Sequence, residues 1–249
     1  MPQITSNDSD RPVQSVRFQT TRWTVILASR RREDPSGRDA IESLCRDYWY
    51  PLYAYVRRTG RSPEDAQDLT QAFFARLLAQ GSLAAAAPEK GRFRTFLLVA
   101  LKRFLTSDWR RAQAEKRGGG TFPISMSMID AEDRYAAEPV ERVSPETLFD
   151  RQWALTLFDR AMLRLQQDYV ASDRSGVFEA LKEFLAEPAG AGSYAQAAAA
   201  AGLTEGAARV AMHRMRRRFR KFFREELAET VTPEELDEEL RHIRTVLSQ

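Results

Sequence analysis

Apolar residues recur at three- and four-residue steps along most of the chain, the spacing of amphipathic helices. Ile41, Leu44, Cys45, Tyr48, Trp49, Leu52, Tyr53 and Val56 form the first such stripe, and Pro51 is expected to kink that helix. Ser62-Pro63-Glu64-Asp65 is a start signal, with Ser62 as N-cap and Pro63 at the first helical position. The helix it opens should run to about Ala79. On it, Ala66, Leu69, Phe73 and Leu77 point one way, while Asp68 and Gln71 point the other. A further helix is predicted over roughly 93–116, stopped by Gly118-Gly119-Gly120, which lacks the Gly-Lys-Ser/Thr of a phosphate loop. Ser144-Pro145-Glu146 opens a second helical block, with Leu148, Trp153, Leu157, Phe158, Met162 and Leu165 as its apolar positions. The block continues through 177–185. Thr204 is a natural N-cap for a helix whose Ala208, Met212, Met215, Phe219 and Phe223 share one face. Thr232-Pro233-Glu234-Glu235 reads as a capping box at the start of a last helix. No stretch alternates convincingly like a strand. The fold class expected is all-α, two helical domains joined by a flexible acidic linker.

Composition adds limits. A chain of 249 residues with 43% hydrophobic residues can build one large core or two smaller ones. Residues 1–17 are polar with little periodicity and read as a disordered N-terminus. The expected divisions are a front domain over 18–117, a linker over 118–146 that is rich in Pro and acids, a rear domain over 147–228 and an acidic helical extension over 229–249. Cys45 is the only cysteine, so no internal disulfide can form. With no signal peptide and no apolar run near 20 residues, a cytoplasmic protein without a membrane span is expected. One cysteine and two histidines do not make a usual metal site. Neither a nucleophile triad nor a nucleotide loop is apparent, so no cofactor and no catalytic residues are assigned, and the chain is not expected to be an enzyme.

The net charge of +3 conceals strong segregation. Between Gly206 and Arg224 stand eight Lys or Arg residues and no Asp or Glu. Arg209, His213, Arg216, Arg220 and Arg224 follow the helical rhythm on an arc about 100° from the apolar face, and Arg214, Arg217, Arg218 and Lys221 widen it. Preceded by the Ala-rich stretch 197–201 and a Gly turn, this is the pattern of a helix-turn-helix, whose second helix enters the DNA major groove. Arg209 and His213, near its N-terminus, are the expected base readers, and the later arginines the phosphate contacts. A solvated basic helix is the plainer alternative. Over 92–117, eight basic residues meet two acids, with Phe93, Phe96, Phe104 and Trp109 interleaved, a mixture suited to backbone tracking and base stacking. Phe93 and Phe96 fit a core role better. Lys102, Arg103, Trp109, Arg110 and Arg111 are the expected DNA contacts.

Three segments, in order, resemble parts of one family. Residues 65–78, DAQDLTQAFFARLL, resemble the core-polymerase-binding helix of region two in bacterial sigma factors of the sigma-70 family, closest to the extracytoplasmic-function group. FRTFLLVALKRFLTSDWRR, residues 93–111, resembles the promoter-melting and minus-ten-reading helix that follows. SYAQ…AGLTEGAARVAMHRMRRR resembles region four, which reads the minus-thirty-five element. The resemblance covers roughly 18–224. It implies core RNA polymerase as partner, through a coiled coil on its largest subunit and its flap, and promoter DNA as ligand. It makes Asp65, Asp68 and Gln71 the polymerase contacts. Gln67 and Ala72 depart from the family's usual acids, and Asn is common in the family near Arg103. The linker's acidic stretch, 130–146, would thread the polymerase's positively charged path, or act as a plain tether.

Residues 225–249 carry eight acids against Arg241 and Arg244 and lie beyond the resemblance. They are expected to fold back on the basic helix, to recruit a regulator, or to be a solvated cap; regulation by a separate anti-sigma factor is the alternative to control by this extension. Two other readings compete for the whole chain: a conventional helix-turn-helix regulator with a helical sensor domain, and a nucleic-acid-processing enzyme. Glu132 and Asp133 are poor metal-binding candidates for the latter.

Overall fold

The computed structural model describes residues 35–79, 83, 86–87, 91–107, 128–138, 143–185 and 194–248. Among the described residues there are nine α-helices and no strand. They are α1 Pro35–Arg58, α2 Pro63–Ala79, α3 Phe93–Ser107, α4 Met128–Ala136, α5 Pro145–Ala171, α6 Ser175–Leu181, α7 Tyr194–Ala200, α8 Glu205–Ala228 and α9 Leu236–Leu247, with a 3₁₀ turn Lys182–Leu185 after α6. The expected caps are in place. Ser62 Oγ accepts from the Asp65 N–H at 3.1 Å, Ser144 Oγ from the Thr147 N–H at 3.1 Å and Thr204 Oγ1 from the Ala207 N–H at 3.3 Å. Each satisfies a donor that the first helical turn leaves without a carbonyl. The Thr232 N–H donates to Glu235 Oε2 at 3.1 Å, half of a capping box, though the helix itself starts only at Leu236. Helix α1 continues through Pro51, which is buried. The expected extension of α3 to residue 116, the triple glycine and the N-terminal 1–17 lie outside the described residues.

Two apolar clusters organise the helices. The larger gathers α1, α2 and α3, with Tyr48, Trp49, Leu52, Tyr53, Phe74 and Leu97 almost wholly shielded from water. The smaller joins Leu165 and Tyr169 of α5 to Phe178 and Leu181 of α6, Ala197 of α7 and Ala211, Met212 and Met215 of α8. Helix α5 starts where the rear domain was expected to start, yet its first half belongs to the front cluster: Leu148, Phe149, Trp153 and Leu157 pack with α1. The Trp153 indole N–H donates to the Tyr48 hydroxyl at 3.2 Å. Late residues enter the same cluster, Leu227 and Ile243 fully and Phe223, Leu236 and Leu240 partly.

α7 ends in a Schellman turn. The Leu203 N–H reaches the Ala198 carbonyl at 2.8 Å and the Gly202 N–H the Ala199 carbonyl at 3.1 Å, with Gly202 at φ 65°. That left-handed conformation, rather than crowding, is what requires glycine.

Helix α4 falls inside the stretch read as a linker, and the linker reading did not include it. Its Pro- and acid-rich flanks hide a nine-residue helix held mostly by polar contacts. Ala131 is buried. Glu132 accepts from Arg57 Nε at 2.7 Å and from the Tyr53 hydroxyl. Arg134 lies 4.0 Å over the Tyr50 ring and donates to Gln152 at 3.2 Å. The bond from Arg57, with that from Tyr53, holds the Glu132 carboxyl below its ordinary value of 4.5, against a smaller upward push from burial. A carboxyl depressed by folding stabilises the fold above its unfolded pKa and loses that contribution as pH falls through the folded value. Glu132→Gln should therefore lower the urea midpoint at pH 7, and the gap to wild type should shrink steadily below about pH 4.5.

Candidate functional site

Three surfaces carry the residues singled out in the sequence. On α2, Ala66, Leu69, Phe73 and Leu77 are buried. They turn Asp68 out to solvent, with Asp65 and Gln71 half-buried at its edges. The 3.6-residue period alone produces this division, because an apolar stripe on one side leaves the other to polar groups. The structure thus brings Asp65, Asp68 and Gln71 onto one accessible face of the front unit.

On α3, the aromatic residues go to the core. Phe93 is 1% exposed and Phe104 5%, and Phe96 stacks on Phe93 with ring centroids 5.8 Å apart. Lys102 and Arg103 are exposed beside them. Lys102 Nζ pairs with Glu146 Oε1 of α5 at 2.7 Å and sits 5.9 Å from the Tyr55 ring. That hydrogen bond raises the Lys102 pKa, so the group is a firm cation at neutral pH. Trp109, Arg110 and Arg111 lie outside the described residues.

On α8, Ala208, Ala211, Met212 and Met215 are buried, with Phe219 and Phe222 half-buried against the rear cluster. Arg209, His213, Arg214, Arg217 and Arg220 are exposed. They form the expected arc, but its members are not equivalent. Arg209 makes an i,i+4 pair with Glu205 at 2.6 Å. Both groups are exposed, and such a pair contributes little and yields readily to a competitor. Arg216 is different. It is half-buried and its Nη2 donates to the Phe184 carbonyl at 2.7 Å, fastening α8 to the 3₁₀ turn. Arg218 pairs with Asp168 at 2.5 Å and lies 5.6 Å over Tyr169. Arg224 pairs with Asp237 of α9 at 3.0 Å. Regular spacing cannot separate these arginines, because which of them meets an acceptor depends on helices distant in sequence.

A fourth site escaped the sequence reading. Arg92 and Arg94, at the start of α3, close on the tail. Arg94 Nη2 lies 2.7 Å from Glu239 Oε1 and its Nη1 3.2 Å from Asp150 Oδ1. Arg92 Nη1 lies 2.8 Å from Glu239 Oε2. Asp150 in turn meets His242 Nε2 at 3.0 Å. Glu239 is fully buried and Arg94 is 5% exposed. Burial pushes the Glu239 carboxyl up, and Arg94 and Arg92 pull it back. The readable signal was Glu239 standing in the stripe Leu236, Leu240, Ile243 and Val246, a charge at a core position.

No His, Cys, Asp or Glu cluster suited to a metal occurs among the described residues. The Cys45 thiol is pushed up to about 12 by burial, with Asp47 and Glu42 adding, which makes it unreactive at neutral pH. No described helix is long and apolar enough to cross a membrane.

Residues 44–115 match the family model for sigma-70 region 2. The match spans most of α1 and all of α2 and α3. No curated protein and no solved structure matches the chain.

The two kinds of arginine on α8 should separate in a denaturation experiment. Arg216→Ala removes a charged donor from a backbone carbonyl and should cost about 1–3 kcal/mol. Arg217→Ala should stay within about 0.5 kcal/mol of wild type. Equal urea midpoints for both variants would contradict the structural role of Arg216.

Proposed function

We propose that the chain is a bacterial sigma factor of the extracytoplasmic-function type, acting in the cytoplasm, with a C-terminal extension. The observation that carries this reading is the region 2 match, which coincides with the helices that present the Asp68 face and the Lys102–Arg103 edge. In this reading Asp65, Asp68 and Gln71 grip the largest-subunit coiled coil. Lys102 and Arg103, with Trp109, Arg110 and Arg111 beyond α3, hold the melted minus-ten strand. Cations neutralise phosphates there, and an aromatic face stacks on an extruded base. The α7–α8 pair is the region four helix-turn-helix and docks near the polymerase flap. Its Arg209 and His213 are nearest the base edges, while Arg214, Arg217 and Arg220 contact phosphates.

Arg216 takes a reduced part in DNA binding, because its guanidinium is already held by the Phe184 carbonyl. Arg209 keeps its role. A guanine offers two acceptors in the plane of its guanidinium, and the exposed Glu205 is a weak competitor.

Run-off transcription with purified core polymerase and genomic fragments tests the proposal. Transcripts from discrete start sites should appear only when the protein is added. Their absence, with no co-purification of core polymerase, would favour a conventional DNA-binding regulator. Asp68→Arg should weaken core binding about tenfold. Arg209→Ala should change promoter preference at the upstream element by about 1–3 kcal/mol. Arg217→Ala should weaken all promoters alike and reduce the salt slope of holoenzyme binding by about one. Equal losses on every promoter from both arginine variants would refute this division of roles.

A further inference from the structure

The tail helix α9 meets the basic arc of α8 only at its end, where Asp237 pairs with Arg224, and leaves Arg209, His213, Arg214, Arg217 and Arg220 exposed. It follows α8 through the turn at 229–235 and lies across the start of α3 and the side of α5. Its Ile243 is buried in the front cluster, with Leu236 and Leu240 partly so. Its Glu239 is buried against Arg94 of α3 and pairs with Arg92 just before that helix. Arg94 also lies 4.7 Å over the Trp153 ring of α5, while Arg92 reaches Glu238 at 3.2 Å. Asp237 lies 3.0 Å from Arg224 near the end of α8, an exposed pair, while Phe223 and Leu227 of α8 share the apolar cluster that takes Leu236, Leu240 and Ile243. One twelve-residue helix thus ties the start of the proposed melting helix to the end of the proposed recognition helix.

We propose that α9 is an intramolecular clasp that keeps the two promoter-reading units folded against each other, and that it must release before the protein engages core polymerase and both promoter elements. This rests on the sigma-factor reading above. Elements named minus ten and minus thirty-five are about 25 base pairs apart, roughly 85 Å at 3.4 Å per step. A packed body of this chain's size is about 45 Å across. The closed arrangement cannot span both elements, so the contacts that close it oppose function.

Two details fit a releasable clasp better than a permanent buttress. Lys102, an expected DNA contact, is paired with Glu146 at the start of α5 in the closed form. Both groups are exposed, so this pair contributes little to closure and yields readily to a phosphate. The ionic cluster is also imperfect: Arg92 Nη1 is within 2.8 Å of Glu239 Oε2, yet that oxygen accepts no hydrogen bond. The oxygen is ion-paired but outside hydrogen-bond geometry, and a buried ion cluster with imperfect geometry does not fully recover its desolvation cost. The α1–α5 packing closes the molecule from one side, and α9 adds an increment from the other. Because apparent affinity scales with the fraction of open molecules, that increment sets how readily polymerase captures the chain.

The test uses the full chain and three variants. Glu239→Gln removes the buried charge. Ile243→Asp undocks α9 through its apolar face, independently of the ionic cluster. Glu234→Gln removes an exposed tail charge that is not part of the docking. Each is measured by circular dichroism, by hydrogen exchange of the amides in 236–247, and by affinity for core polymerase. Glu239→Gln and Ile243→Asp should speed exchange in 236–247 and bind core polymerase roughly tenfold tighter, and Glu234→Gln should change neither. Faster exchange with unchanged or weaker core binding would make α9 a buttress and overturn the proposal, as would unchanged exchange in both docking variants. If one docking variant fails to fold, the other decides. Failure of wild type and variants alike to bind core polymerase would overturn the sigma-factor reading and this proposal with it. Equal binding by all would overturn the clasp alone.

Discussion

One helix belongs to both cores at once, and the arrangement of the others follows from it. α5 has 27 residues, about 40 Å of rigid rod. Leu148, Phe149, Trp153 and Leu157 commit its first half to the front cluster. Leu165 and Tyr169 commit its second half to the rear one. A rod cannot be in two separately moving bodies. While α5 is docked on α1, the rear helices are placed relative to the front ones, and the end of α8 is brought within reach of α3. The tail then has somewhere to go. Arg160 and Arg164, midway along α5, reinforce the placement: Arg164 reaches Glu226 at 2.9 Å and Glu225 at 2.7 Å.

Most of this fold could be read in the sequence, because most of it is decided within a few residues of each position. Capping needs only the identities of Ser62, Ser144 and Thr204 and the donors three residues on. Amphipathic stripes on α2 and α8 need only a period. Helix α4 was hidden because its stability is not local. Nine residues are too few to form a helix in water alone, and Arg57 and Arg134 supply what propensity does not. The double membership of α5 was hidden for a related reason. A stripe says which face is buried but not against what.

The candidate sites show the same boundary from the side of charge. Asp68, His213 and Arg217 stand in solvent where helical geometry puts them. Arg216 and Arg217 are both assigned to the basic arc by sequence, yet one is fastened to a carbonyl and the other is exposed. Partner identity sets the chemical role of a guanidinium, and for Arg216 the partner is 32 residues away. The sequence did carry one overlooked clue, the carboxylate of Glu239 inside an apolar stripe, since a buried charge requires a counter-charge somewhere.

The separation between Arg94 and Glu239, 145 residues, also bears on the order of folding. The turn between α7 and α8 and the α1–α2 pairing join near neighbours, so they can form early. Contacts so distant along the chain are reached late, after shorter loops have closed. Until then Arg94 can remain hydrated beside Trp153, and the face that α9 will cover stays open. Late docking of α9 leaves the apolar surface that receives Leu236, Leu240 and Ile243 uncovered for longer, and with it widens the window in which such chains can stick to one another.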